Sequence, residues 1–314
     1  MARSGRWWLM LAFLAVLLAC GGPATPTAPV GQIGSPTPTV TPSPTVATAP
    51  TASATVAAPT TPVPSPSAPA TPAPTSAIEV PAAGARVTLP LHVLAHVGQP
   101  GERVTAVLRW QDGSTRSYVM TALREPDGRG LVIGTPPWWP DQPPQPRTQG
   151  ATLELRDATG SVLAAQPVTV LDPSDPGTRQ VRLYWTASGT DTLAFETRTV
   201  VRTDQVATSA LQELLWGPPP ASNIGYATAL PTPAQVLSYP GRQPDWGPRV
   251  TLLGLTITDG VATANFSSEM AAYGGGSLRV KLIRDQVSET LEQFPTVHEV
   301  RIAIDGQTEG VLEP

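Results

Sequence analysis

Leu252-Leu253-Gly254-Leu255-Thr256-Ile257-Thr258-Asp259-Gly260-Val261-Ala262-Thr263-Ala264-Asn265-Phe266 is two alternating apolar runs joined at an Asp-Gly pair. A two-residue hairpin turn needs positive φ at both central residues, and Asp-Gly supplies it. The pattern therefore predicts strands over 252–257 and 261–266, with Ala262, Ala264 and Phe266 on one face. Helical patterns lie on both sides. Val206, Ala207, Ala210, Leu211, Leu214 and Leu215 recur at helical spacing, behind Asp204 as the expected N-cap. Gly217 and Pro218-Pro219-Pro220 end that helix. A second helix over 277–293 is expected to turn Leu278, Ile283, Val287, Leu291 and Phe294 to a core, with Gly274-Gly275-Gly276 before it and Pro295 after it. Strands over 181–186, 193–201 and 297–304 complete the set. The expected unit, residues 180–314, is a two-layer α+β domain, a small sheet with two helices on one face.

Residues 78–172 carry short strand patterns and no sustained helical period. Residues 89–97 alternate loosely. Val104, Ala106, Leu108 and Trp110 share a face, and Asp112-Gly113 turns the chain into 117–122. Residues 151–156 and 162–170 flank Asp157-Ala158-Thr159-Gly160, a second hairpin. An all-β sandwich is expected. Asp172-Pro173-Ser174-Asp175-Pro176-Gly177 is a joint so short that the two folded regions should sit close together.

Upstream, the chain changes character. Arg3 and Arg6 precede an apolar run, Trp7 to Leu18, too short for a permanent span and suited to a secretory signal. Leu17-Leu18-Ala19-Cys20 follows and resembles the lipobox of bacterial lipoproteins. The resemblance makes Cys20 the lipid-attachment residue and residues 1–20 the signal peptide. From 21 to 77 the chain is Pro, Thr, Ser, Ala and Val almost throughout, and no charged residue occurs between Arg6 and Glu79. Such a segment has no apolar face to bury and is expected to be a disordered spacer. Extended, it would reach on the order of 170 Å; as a coil, ~40 Å.

The 314 residues include 38 prolines, one cysteine and only 14% charged residues, with net charge -4. One cysteine permits no intramolecular disulfide. An acidic balance lacks the basic footprint that nucleic acid requires.

Two stretches resemble known families. Ile78-Glu79-Val80, the turn Pro81 to Gly84, and Pro90-Leu91-His92-Val93 resemble the opening of the immunoglobulin-like domain of bacterial spore germination proteins. Leu153 to Asp157 and Val168-Thr169-Val170 suit its last strands. The C-terminal region resembles the GerMN domain of a spore germination lipoprotein. It carries Tyr184-Trp185, an Arg before the first helix (Arg198 or Arg202), Leu214-Leu215-Trp216-Gly217-Pro218 and Leu230-Pro231. It continues with Asp259-Gly260 leading to Phe266-Ser267-Ser268-Glu269, then Phe294-Pro295-Thr296-Val297 and Asp305-Gly306. The stretch 232–249 lengthens a loop relative to that pattern, and Ala264-Asn265 stands where a Val-Asp pair is common.

What the resemblance implies is a non-catalytic module of the cell envelope that acts by binding a protein partner. Sporulation, germination or the regulation of a membrane sensor kinase are its settings. A cell-wall or glycan role is a further alternative, with Trp138-Trp139 as platform and Glu269 as catalyst. Paired tryptophans on a Pro-rich loop either plug a core or make a partner contact, and Trp138 and Trp139 are the partner-binding candidates. His92 and His96 on one straight strand would lie roughly 13 Å apart, too far to share a metal. Gly274-Gly275-Gly276 lacks the Lys and spacing of a phosphate loop. Glu196, Arg198 and Arg202 are expected on a solvated strand face. No catalytic residue, cofactor or metal site is expected. The expected placement is extracytoplasmic, held to the membrane by the N-terminal lipid.

Overall fold

The computed structural model describes residues 76–142, 147–187, 189–220 and 225–313. The signal, lipobox and nearly all of the spacer, with Leu17, Leu18, Ala19 and Cys20, lie outside the described residues. The described residues all fall within one compact unit. Most of its regular structure is β.

The first folded region has nine strands: β1 (Ala77–Val80), β2 (Arg86–Val87), β3 (Val93–Val97), β4 (Arg103–Trp110), β5 (Thr115–Thr121), β6 (Leu123–Arg124), β7 (Gly130–Gly134), β8 (Gln149–Arg156) and β9 (Val162–Val170). They form a four-stranded sheet, β1-β3-β7-β6, and a five-stranded sheet, β2-β9-β8-β4-β5. Val104, Ala106, Leu108 and Trp110 are all buried on one face of β4, as their alternation requires. They meet Val93, Ala95, Val97 and Val132 of the other sheet in one core. Both expected hairpins form. The Asp112 carboxylate accepts the Ser114 N–H and the Asp157 carboxylate accepts the Thr159 N–H, so each aspartate closes its own turn. The strand expected over 89–97 begins only at Val93, although Leu89 and Leu91 are buried.

The second region holds β10 (Thr178–Ala187), β11 (Leu193–Val201), α1 (Val206–Leu215), β12 (Tyr226–Ala227), α2 (Pro233–Ser238), β13 (Leu252–Thr258), β14 (Val261–Phe266), α3 (Gly276–Glu292) and β15 (Glu299–Ile304). The Asp-Gly hairpin forms as read, with Asp259 at φ 50 and Gly260 at φ 82. Ala262, Ala264 and Phe266 are buried together. The expected single sheet is instead two three-stranded sheets, β11-β10-β12 and β13-β14-β15. β14 and β15 run parallel, and α3 is the crossover that a parallel pair needs. A third helix, α2, occupies the stretch read as a lengthened loop. Its Thr232 and Gln235 close a reciprocal capping box. The first helix is capped at Gln205 with no side-chain bond, so Asp204 is not its N-cap. Leu278 is 52% exposed, whereas Val280, Ile283, Val287 and Leu291 form the buried stripe of α3.

One contact joins α3 to the edge of β10 by side chains alone. Gln293 Oε1 accepts the Arg182 N–H at 2.8 Å, and Gln293 Nε2 donates to the Arg182 carbonyl at 2.8 Å. Thr290 Oγ1 accepts the Tyr184 N–H at 3.3 Å, and Gln286 Nε2 donates to the Tyr184 carbonyl at 2.9 Å. Gln286 Oε1 also accepts the Ala229 N–H at 2.7 Å. Four residues of helix rise ~6 Å and two of strand ~6.7 Å, so one helix face can serve a strand edge. Gln286 and Thr290 are both 0% exposed.

Candidate functional site at the junction of the two regions

The two tryptophans of the Pro-rich loop have different surroundings. Trp138 is 3% exposed and belongs to the core of the first region. It presents no face to a partner, which corrects its place among the binding candidates. Trp139 turns toward the second region, where Arg198 Cζ lies 5.9 Å from its ring centroid. Arg116 of β5 fixes the loop by donating to the carbonyls of Trp139 and Gln142. Its guanidinium also stands 5.5 Å from the Trp110 ring centroid.

Arg198 is the largest departure from expectation. It is 2% exposed, not on a solvated face. On β11 its row runs through Glu196 and Val200, and that row turns inward. Arg198 Nε donates to Glu196 Oε1 at 3.0 Å and Nη1 to Glu213 Oε2 at 3.3 Å. The Trp185 indole N–H donates to Glu196 Oε2 at 3.2 Å. A buried charge is tolerable only when so paired.

Glu213, on α1, reaches across to the first region. His92 Nε2 stands 3.0 Å from its Oε2, an ion-pair approach whose angle falls outside a good hydrogen bond. His92 Nδ1 is 2.8 Å from Thr135 Oγ1. The imidazole stacks on Trp216 with centroids 4.5 Å apart and planes 2° apart. Arg249 Cζ lies 4.3 Å from the Trp216 centroid, and burial pushes the Arg249 guanidinium down from its ordinary value. Aromatic, imidazole and guanidinium planes from both regions thus interlock at one junction.

Thr135, His92 and Glu213 stand in the order of a hydroxyl–imidazole–carboxylate relay. The order does not make a reaction centre. Thr135 is 4% exposed and Trp216 stacks on the imidazole, so no acyl group can approach the hydroxyl. Glu269 is 6% exposed and accepts the Gly247 N–H, which makes it a loop brace and not the exposed carboxylate of a glycan-active site. His96 bonds Glu125 at 2.7 Å and Glu79 at 2.9 Å. Among the described residues, no group of three or more His, Cys, Asp or Glu could hold a metal ion.

Burial raises the Glu213 carboxyl, but His92 and Arg198 beside it outweigh burial and hold it below its ordinary value. Stability from such a group is present above the unfolded glutamate value, about 4.3, and is lost as pH falls through the lower folded value. Melting temperature should therefore fall as pH drops from about 5 to 3, and Glu213→Gln should fall less steeply over that window. Equal slopes in a thermal melt series would show that the junction carboxylate does not titrate with unfolding.

Residues 182–310 match the family pattern described as Germane, sporulation and spore germination. Over those residues the second folded region is similar to the Germane family. Two solved structures with similarity are from Bacillus subtilis. The tandem GerMN domains of the sporulation protein GerM are 24% identical, with 42% of this chain and 40% of that one covered and a TM-score of 0.32. The first GerMN domain of the same protein is 24% identical, covering 41% and 85%, with a TM-score of 0.31. A putative lipoprotein from Clostridium perfringens is 18% identical, covering 43% and 79%, with a TM-score of 0.27. This chain therefore spans less than half the length of the tandem GerM structure. No curated protein matches. The Germane match includes Arg198, Glu213, Trp216 and Arg249 but not His92, Thr135 or Trp139. The junction thus draws on residues both inside and outside the match.

Proposed function

We propose that the chain is a non-catalytic extracytoplasmic lipoprotein whose Germane domain binds a protein of the cell envelope in sporulation or germination. The observation that carries this is the Germane match over residues 182–310. The signal-like run, the Cys20 lipobox and the Pro-rich spacer support placement outside the membrane. We read the first region as immunoglobulin-like, an adaptor that orients the Germane domain. The 3.0 Å approach of His92 Nε2 to Glu213 Oε2 supports that role, because it links one region to the other. Acyl chains on Cys20 would anchor the protein, each buried CH₂ adding roughly 0.8 kcal/mol.

Fractionation tests the placement. Wild-type protein should leave the membrane only with detergent. Cys20→Ala should appear in the medium or stall as an uncleaved precursor, and a mature, membrane-held Cys20→Ala protein would overturn the anchor. Site-directed photocrosslinking from the exposed Germane surface tests the binding. A discrete envelope protein should be captured, and an absence of crosslinked species from every surface position would sink the reading.

A further inference from the structure

The outer face of β10 and β11 does not look like a face meant only for water. The row Val181, Leu183 and Trp185 is buried in the core of the second region. The opposite row of such an antiparallel sheet is ordinarily polar. Here it carries Tyr184 and Phe195, directly opposed in register, with ring centroids 5.7 Å apart. The Tyr226 hydroxyl donates to the Phe195 carbonyl at 2.9 Å. Arg182 Cζ stands 5.1 Å from the Phe195 ring centroid. Phe195 is nevertheless 48% exposed. Tyr184 and Phe195 thus set two aromatic rings together on this outer face.

Beside this cluster is an open depression of about 370 Å³, lined by Arg179, Gln180, Arg182, Thr197 and Gln293 among others. Some exposed arginines have carboxylate partners, as Arg129 has Asp127 and Arg301 has Glu299. Among the described residues, the ion pairs include neither Arg179 nor Arg182. The Arg182 backbone is held at both its N–H and its carbonyl by Gln293, so the strand presenting the patch is already ordered. Pre-ordering lowers the entropy lost on binding. A half-exposed phenylalanine with a tyrosine beside it, next to arginines outside those ion pairs, is the composition of a protein-binding hot spot.

We propose that this face docks an acidic, extended polypeptide segment of the envelope partner. Its carboxylates would pair with Arg179 and Arg182, and an apolar side chain would pack on Phe195 and Tyr184. The charge of the patch selects the sign of the segment. This deepens the protein-binding function proposed above and rests on it.

The test is fluorescence anisotropy with the purified full chain and two labelled peptides, one alternating Glu and Leu, the other Lys and Leu. The Glu peptide should bind saturably and weaken as salt rises from about 50 to 300 mM. Phe195→Ala and Arg182→Glu should each weaken it about tenfold or more. Arg179→Glu, at an exposed position, gives a second variant should either of these fail to fold. Equal affinity for the two peptides, or no loss in folded variants, overturns the surface. If the peptide fails while photocrosslinking still captures an envelope protein, only this surface is lost. If both fail, the protein-binding function goes with it.

Discussion

Arg198→Met is expected to lower the unfolding free energy by about 3–5 kcal/mol, measured by urea denaturation. The substitution fills similar space but removes the cation that Glu196 and Glu213 share. Both carboxylates are mostly buried, with side chains 11% and 18% exposed. Breaking a buried pair on one side leaves uncompensated charge, which is why the loss is large. An exposed arginine on a strand, as sequence alone places it, would cost within about 0.5 kcal/mol. The measurement therefore discriminates between the two placements. The double variant Arg198→Met, Glu213→Leu should recover part of the loss, because it removes one of the stranded carboxylates.

Gln286→Leu should cost about 2–6 kcal/mol, because it strands two buried backbone groups at roughly 1–3 kcal/mol each. These are the Tyr184 carbonyl and the Ala229 N–H. Leucine matches the volume closely enough that packing contributes little. A loss under about 0.5 kcal/mol would mean that water replaces the glutamine and that the α3–β10 seam is not dry. Amide exchange gives a second readout. The Ala229 amide should lose protection well before the amides paired within β13 and β14.

The parts of this fold that were legible in the sequence are local ones. Asp259-Gly260, Asp112-Gly113 and the Asp157 to Gly160 turn each state their geometry in two to four residues, and each hairpin forms. The Val104 to Trp110 alternation reads off one buried face of β4 directly. What was not legible depends on distant partners. β7 is a short run between Gly130 and Gly134, and its pairing with β3 and β6 makes it a strand. Leu278 reads as a core residue because it is apolar. It lies about 140° around the helix from Ile283, off the stripe that Val280, Ile283, Val287 and Leu291 mark. Arg198 reads as solvent-facing because it is charged. Yet its parity on β11 places it in the row of Val200, which is buried, and that signal was present in the sequence. The junction could not have been read at all. His92 and Glu213 are 121 positions apart and meet only after both regions have folded.

The position of His92 has a mechanical consequence. The described chain begins just before Ala77, and β1 is laced antiparallel to β3 through Ala77–His96 and Ile78–Ala95. His92 precedes β3 by one residue and is stacked on Trp216 of the second region. A pull arriving along the chain at Ala77 would therefore load the β1–β3 ladder in shear and pass through His92 to the far end of α1. The covalent joint at residues 172–177 would lie in parallel with that route. A second region wired in this way would follow a pull on the chain at Ala77 as a lever rather than trail behind it on a swivel.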